Sequence, residues 1–120
     1  MLTSEIPIFK KIFDLYKFFH LHRNKVPKQD RFTIWQKCEN IILNLIETLI
    51  RMTNLSKEEK LPRMEIMSND LNMLRIFLRL AKEVKTIDNA RYVAIEKDVD
   101  EVGRMLGGWI KSAKENIRPQ

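Results

Sequence analysis

Residues that commonly perform chemistry are scarce in this sequence, which contains two histidines and one cysteine. His20 and His22 lie two positions apart, so on a helix their side chains point about 200° away from each other and make poor co-ligands for a metal. The single cysteine, Cys38, excludes an internal disulfide and any multi-cysteine zinc or iron-sulfur site. An HExxH motif, a glycine-rich phosphate loop, a CxxC pair and a nucleophile elbow are also missing. The sequence therefore predicts a non-enzymatic protein that uses no metal or cofactor.

Adjacent carboxylates are present, but their pattern is typical of a solvated surface rather than of an acid-base pair. Glu58 and Glu59 are neighbours, and a second acidic section lies between Glu96 and Glu101. We expect the second section to oppose basic residues on a neighbouring element.

Basic residues are more informative, because the chain carries a net charge of +6 and has a sequence pI near 9.6. Such a charge favours polyanionic partners such as RNA, DNA or an anionic membrane. Most of the excess lies in residues 1–31, where seven basic residues face three acidic ones. The basic residues of this segment are Lys10, Lys11, Lys17, Arg23, Lys25, Lys28 and Arg31.

A second basic group is predicted on one helix face. Arg75, Arg79 and Lys82 follow one another at spacings of four and three, which aligns their side chains in a cationic stripe suited to a phosphate backbone. Taken alone, such a stripe is also typical of an ordinary solvated face. Together with the basic first segment, it favours nucleic-acid binding.

Four helical segments must position these residues, at 7–22, 28–53, 57–85 and 89–116, because apolar residues recur there with a helical period. The residues predicted to face inward are Ile8, Ile12, Leu15 and Phe19, then Trp35, Cys38, Ile42, Leu45, Leu49 and Met52, then Met64, Met67, Leu71, Leu74, Leu78 and Ala81, and finally Tyr92, Ile95, Val99, Val102, Leu106, Trp109, Ile110 and Ala113.

Turn and capping residues mark the boundaries between these segments. The first segment is followed by a loop or by a restart of helix at Pro27. Ser56 and Glu59 match a capping box before the third segment, which either begins near Pro62 or is bent there. Asp88 is the predicted cap of the fourth segment.

Long helices joined by short connections prefer antiparallel packing, so the sequence predicts a single all-α domain with an up-down-up-down four-helix bundle. A dimer of helical hairpins is the alternative. The second and third helices carry wider apolar arcs than one bundle interior requires, which favours an oligomer. The surplus residues on the third helix include Met73, Ile76 and Leu80.

The three glycines fall within six residues of the fourth helix, where each costs roughly 1 kcal/mol of helix stability relative to alanine. Gly103 and Gly107 lie one turn apart on the same side, so they would allow another backbone to approach closely, within the bundle or across a subunit boundary. The alternative is a frayed or kinked helix end.

The amino terminus suggests a cytoplasmic location. Glu5, Lys10 and Lys11 interrupt its apolar residues, which argues against the core of a signal peptide or a spanning helix. The two-sided helices also differ from the singly amphipathic helices that lie on membranes. We expect no membrane partner.

Three segments together resemble the accessory variability determinant (Avd) proteins of diversity-generating retroelements, and the wider 23S rRNA intervening-sequence family of four-helix bundles. They are RFTIWQKCENIILNLIETLI at 31–50, LRLAKE at 78–83 and DEVGRMLGGWIKS at 100–112. The resemblance extends from about Phe18 onward, and no motif precedes that residue.

The resemblance implies a basic four-helix bundle that assembles as a homopentameric barrel. It also implies that the protein binds the retroelement reverse transcriptase and its template RNA, or an RNA/DNA hybrid, without catalysing cDNA synthesis itself. In that role it would support mutagenic retrohoming. The alternative is a structural or protein-interaction bundle of the intervening-sequence family with no nucleic-acid role, since a shared fold does not fix function.

Overall fold

The computed structural model describes the backbone of residues 6–117 and the side chains of residues 6–115. Within these residues the secondary structure is entirely helical, with four long helices and no strand. A 3₁₀ turn, Arg23–Lys25, separates the first two helices. The helices are α1 (Pro7–His22), α2 (Lys28–Arg31), α3 (Ile34–Met52), α4 (Lys57–Glu83) and α5 (Asn89–Ile117).

The four long helices pack as a bundle around one apolar core. Each contacts the next long helix along the chain, and α1 also packs against α5, which closes the bundle. The end of α1 lies beside the start of α3, where the rings of Phe19 and Trp35 stack with centroids 4.4 Å apart. The Trp35 Nε1–H also donates a hydrogen bond of 2.9 Å to the Phe19 carbonyl, so this buried indole has no unsatisfied donor.

The predicted inward-facing stripes form most of this core. Ile12, Leu45, Met67 and Val99, one from each long helix, are fully buried. The described part of the chain contains no helix with the length and apolarity needed to cross a bilayer.

The predicted continuous helix over 28–53 is wrong, because the helix breaks after one turn. Thr33 has a non-helical backbone (φ −119°, ψ −101°), and α3 starts at the next residue. The break allows two demands to be met together. Asp30 reaches across the bundle end to accept a 3.1 Å hydrogen bond from the Thr86 hydroxyl, while Trp35 turns into the core. The restart of helix after Pro27 is confirmed by α2.

Two of the predicted helix starts are confirmed. The Ser56 Oγ accepts from the Glu59 backbone N–H and the Glu59 carboxylate accepts from the Ser56 N–H, both at 3.2 Å. Helix α4 therefore begins at Lys57 and passes through Pro62 rather than starting there. The Asp88 carboxylate accepts from the Arg91 backbone N–H at 2.8 Å, which caps α5.

Helix α4 ends two residues earlier than predicted, at Glu83. The Thr86 N–H donates to the Ala81 carbonyl at 2.8 Å, and Lys85 between them has a positive φ of 66°. This is the hydrogen bonding of a Schellman motif, in which glycine usually occupies the left-handed position. A lysine takes that position here.

Candidate nucleic-acid interface

The two histidines contact neighbouring residues of α1, and the cysteine is buried in the core. The His22 Nδ1 donates to the Phe18 carbonyl at 2.9 Å, whereas the His20 ring lies 6.0 Å from the Tyr16 ring. Burial, with a smaller contribution from the Glu39 charge, raises the pKa of the Cys38 thiol to about 12. The thiol therefore stays protonated at neutral pH and is a poor nucleophile. Residues 6–115 also hold no group of three or more His, Cys, Asp or Glu side chains that could bind a metal.

The three predicted basic residues of α1 are distributed over two surfaces. Lys11 faces α5, where its ammonium lies 3.0 Å from Glu101 and 3.7 Å from Asp98. The hydrogen bond with Glu101 is the main reason that the pKa of Lys11 is raised. Lys10 and Lys17 face solvent and flank a shared acid, Asp14.

Of the predicted stripe of α4, Arg75 lies against the acidic section of α5, as Lys11 of α1 does, which confirms the expectation that this section opposes basic residues. The Arg75 Nε is 3.3 Å from the Asp100 carboxylate, and its Nη1 donates to Asn72 at 2.7 Å. Arg79 pairs with Glu83 on its own helix at 3.3 Å. The third member of the stripe, Lys82, lies over the ring of Tyr92, 4.8 Å from its centroid.

Gly103 accommodates the Arg75 side chain rather than another backbone. A Cβ at position 103 would lie 2.6 Å from the Arg75 Nη2, so the missing side chain leaves room for the guanidinium to reach Asp100. Gly107 has open space where a side chain would be. Of the two, only Gly107 leaves room for a second chain.

The other four predicted basic residues converge on the segment between α1 and α3. We call residues 23–33, which lie between the end of α1 and the start of α3, the junction. The Arg31 guanidinium donates to the carbonyls of Val26 and Asn24, at 3.1 and 2.8 Å, and so holds the loop together. Lys25 and Lys28 are exposed and have no ion pair within the described residues.

Arg23 of the junction is fixed by a buried acid. Both its Nε and its Nη2 donate to the Glu39 Oε1, at 3.1 and 2.7 Å, and Glu39 is only 1% exposed. The other carboxylate oxygen, Oε2, is buried and has no hydrogen-bond partner in the described structure. The position of Arg23 therefore depends on a charge that solvent does not reach.

The structure also reveals a cationic stripe that the sequence reasoning missed. Lys97, Arg104 and Lys111 lie seven residues apart along α5, so they share its outward face at intervals of about 10 Å. All three are exposed, and none forms an ion pair within residues 6–115. Their heptad spacing was a usable signal, but the acidic residues between them obscured it.

Surplus apolar side chains form two exposed stripes. On α4, the exposed residues Ile66, Met73, Ile76 and Leu80 follow a heptad pattern, and they include the three predicted interface residues. On α3, Leu43 and Ile50 are exposed and lie seven residues apart. They share a face with Glu39, whose partner Arg23 follows α1, so the α3 stripe lies on the side of α1.

Comparison with known families matches residues 7–113 to the family described as bAvd-like. Its members are accessory, non-catalytic proteins of diversity-generating retroelements. No curated protein and no solved structure matches the chain. The matched region begins at Pro7, and so it includes the part of α1 that precedes the recognised motifs. Because the match spans most of the sequence, this chain belongs to the bAvd-like family.

Proposed function

We propose that this chain is a cytoplasmic, non-catalytic accessory subunit of a diversity-generating retroelement, in which it binds the reverse transcriptase together with its template RNA or RNA/DNA hybrid. The family match over residues 7–113 carries this proposal. The net charge of +6 supports a polyanionic partner.

The distribution of unpaired cations favours two surfaces for phosphate contacts. The α5 stripe (Lys97, Arg104 and Lys111) and the junction lysines have no acidic partner in the described chain. Two members of the cationic stripe of α4, Arg75 and Arg79, pair with carboxylates, which offset part of its charge. We therefore expect the α5 stripe to contribute more to RNA affinity than the cationic stripe of α4 does.

A charge-reversal experiment tests this expectation. One variant replaces Lys97, Arg104 and Lys111 with glutamate, and the matched variant makes the same three changes at Arg75, Arg79 and Lys82. Binding of template RNA is measured by fluorescence anisotropy over a series of salt concentrations. Each lost phosphate contact lowers the salt slope by about 0.7 for single strands, so loss of the α5 stripe should lower it by about 2.

Three outcomes separate the possibilities. A larger loss for the α5 variant supports the proposed surface, whereas a larger loss for the α4 variant assigns the contacts to Arg75, Arg79 and Lys82. If the unaltered protein binds no RNA at any salt concentration, the structural-bundle alternative gains. Circular dichroism of each variant checks that helicity is retained.

We further propose that copies of the chain assemble as a ring, as the family resemblance implies for a homopentamer. The two apolar stripes lie on different helices, so a head-to-tail contact between them would cover both, and such a contact generates a ring when the rotation between neighbouring copies closes. Burial of the Ile76 side chain, which is 68% exposed, would add to the stability of such a contact.

Molar mass by light scattering tests the assembly. Five copies of 14.4 kDa make 72 kDa. Ile76→Glu on the apolar stripe of α4 should shift the mass toward that of one chain, because it places a charge in the contact. Val93→Glu, which alters an aliphatic residue 55% exposed on the outward face of α5, should not. Equal masses for both variants would exclude the apolar stripe of α4 as the interface.

A further inference from the structure

An aromatic ring stands in solvent at the centre of the junction. Phe32 is 69% exposed, although burial of a phenylalanine side chain stabilises a folded protein. It follows α2 directly and precedes the break at Thr33. Its neighbour across the junction is Arg23, whose guanidinium carbon lies 6.0 Å from the ring centroid.

The backbone that carries this ring is held from several directions. The Thr33 hydroxyl donates to the Gln29 carbonyl at 3.1 Å, and the Thr33 N–H donates to the Asp30 carbonyl. Asp30 accepts a hydrogen bond from Thr86 in the connection between α4 and α5, and Arg31 donates to the preceding loop. The ring is therefore presented by a well-supported turn rather than by a floppy loop.

The basic residues of the junction differ in whether an acid holds them in place. Arg23 is held in place by the buried carboxylate of Glu39, and its planar guanidinium lies beside the ring. Lys28 lies one turn before Phe32, and Lys25 belongs to the loop that Arg31 anchors. Both ammonium groups are free of acidic partners within the described residues. One cation held in place thus lies beside the exposed ring, and two unpaired cations belong to the same junction.

We infer that Phe32 is a stacking platform for an unpaired base of a single-stranded nucleic acid, with Lys25 and Lys28 contacting the flanking phosphates. Proteins that hold single strands combine cationic side chains with exposed aromatic rings, because every base has a face that can stack. A paired base offers no free face, so the junction selects unpaired nucleotides. This inference rests on the proposed RNA-binding function and assigns the strand type that the junction takes.

The test compares two probes and three variants. The probes are a short oligouridylate and a fully paired RNA duplex of equal length. Phe32→Leu keeps an apolar side chain but removes the aromatic face, and Phe32→Trp enlarges that face. Phe13→Leu is the matched control, because Phe13 is a second exposed ring with a lysine, Lys17, 5.3 Å from its centroid. Light scattering confirms that each variant keeps the mass of the unaltered protein.

We expect Phe32→Leu to weaken oligouridylate binding about tenfold, which corresponds to one lost base stack of about 1.4 kcal/mol. Duplex binding should stay unchanged, Phe32→Trp should bind the single strand at least as tightly as the unaltered protein, and Phe13→Leu should have no effect. A 2-aminopurine base placed in the single strand should lose fluorescence on binding, and that loss should disappear in Phe32→Leu.

Other outcomes have distinct meanings. Salt-dependent RNA binding that is equal in the unaltered protein and Phe32→Leu overturns the stacking role but leaves the proposed function intact. An equal loss on both probes overturns the selection of unpaired bases. Loss of reverse-transcriptase binding with unchanged RNA affinity assigns Phe32 to a protein contact instead. If the unaltered protein binds neither probe, the RNA-binding function itself fails.

Discussion

Replacement of Arg23 by methionine should destabilise the bundle more than any loss of a surface ion pair. The substitution keeps much of the side-chain volume but leaves the carboxylate of Glu39, only 1% exposed, without a partner for either oxygen. Removing one member of a fully buried ion pair costs about 3–5 kcal/mol. Arg23 is itself about one-third exposed, so water compensates in part, and we expect a loss of about 2–3 kcal/mol.

Urea unfolding followed by circular dichroism measures this loss, and thermal unfolding should show a decrease in Tm of about 8–12 °C. Arg51→Met is the matched control. The Arg51 Nε and Nη2 also donate to one carboxylate oxygen, of Glu47, at 3.2 and 2.6 Å, but both of these side chains are exposed. We expect Arg51→Met to cost less than about 0.5 kcal/mol.

A double-mutant cycle separates the buried charge from the packing of the arginine stem. Arg23→Met combined with Glu39→Met removes both charges, and its stability should return to within about 1 kcal/mol of the unaltered protein. If Arg23→Met alone costs no more than Arg51→Met, the Glu39 carboxylate is solvated and the reasoning is wrong. If the double variant is as unstable as the single one, packing rather than charge explains the loss.

Three further predictions concern single backbone and capping positions. Lys85→Gly should raise the free energy of unfolding by about 1 kcal/mol in thermal unfolding, because Lys85 has a left-handed φ of 66° that glycine adopts freely; an unchanged Tm would contradict this. Gly107→Ala should also stabilise α5 by about 1 kcal/mol, since nothing lies within 4 Å of the added Cβ, and a simultaneous fall in molar mass would place Gly107 at a subunit contact. Ser56→Ala should cost about 1 kcal/mol at neutral pH. The Ser56 side chain, and after it the Ser56 backbone N–H, hydrogen-bonds to Glu59 and lowers the pKa of that carboxyl. The alanine variant loses only the side-chain bond, and the stability from that bond is present above the unfolded pKa and is lost as pH falls through the folded pKa; in acid the two proteins should therefore become more alike in stability.

Much of the helical architecture follows from local sequence. The period of the apolar residues identifies the stretches that become the long helices. Apolar residues spaced as they are around Met67 and Val99 fall on one face only if the segment is a helix, and both residues are buried. Capping residues fix two of the starts, since the Ser56 and Asp88 side chains bond to backbone groups within three residues. Both partners of each of these hydrogen bonds lie close together along the chain, so the sequence alone can predict them.

The break at Thr33 and the environment of each basic residue were harder to predict from the sequence. Arg31, predicted to contact nucleic acid, spends two donors on nearby carbonyls, and Arg75 reaches an acid 25 residues further along the chain. The exposure of Phe32 was also missed, because a phenylalanine next to a helical apolar stripe is ordinarily assigned to the core. These outcomes depend on contacts between elements that are distant in the chain.

The sequence alone therefore determined the helical content, the net charge, most of the core and the family resemblance. All four depend on residue identity and short-range periodicity. Only the tertiary structure decided which cations remain unpaired and which apolar residues stay exposed. Helix packing places the acidic section of α5 against Arg75 and Lys11, while it leaves Lys97 and the Phe32 ring in solvent. Charge pairing and burial are properties of the packed surface, because each requires a partner that the chain brings close only by folding.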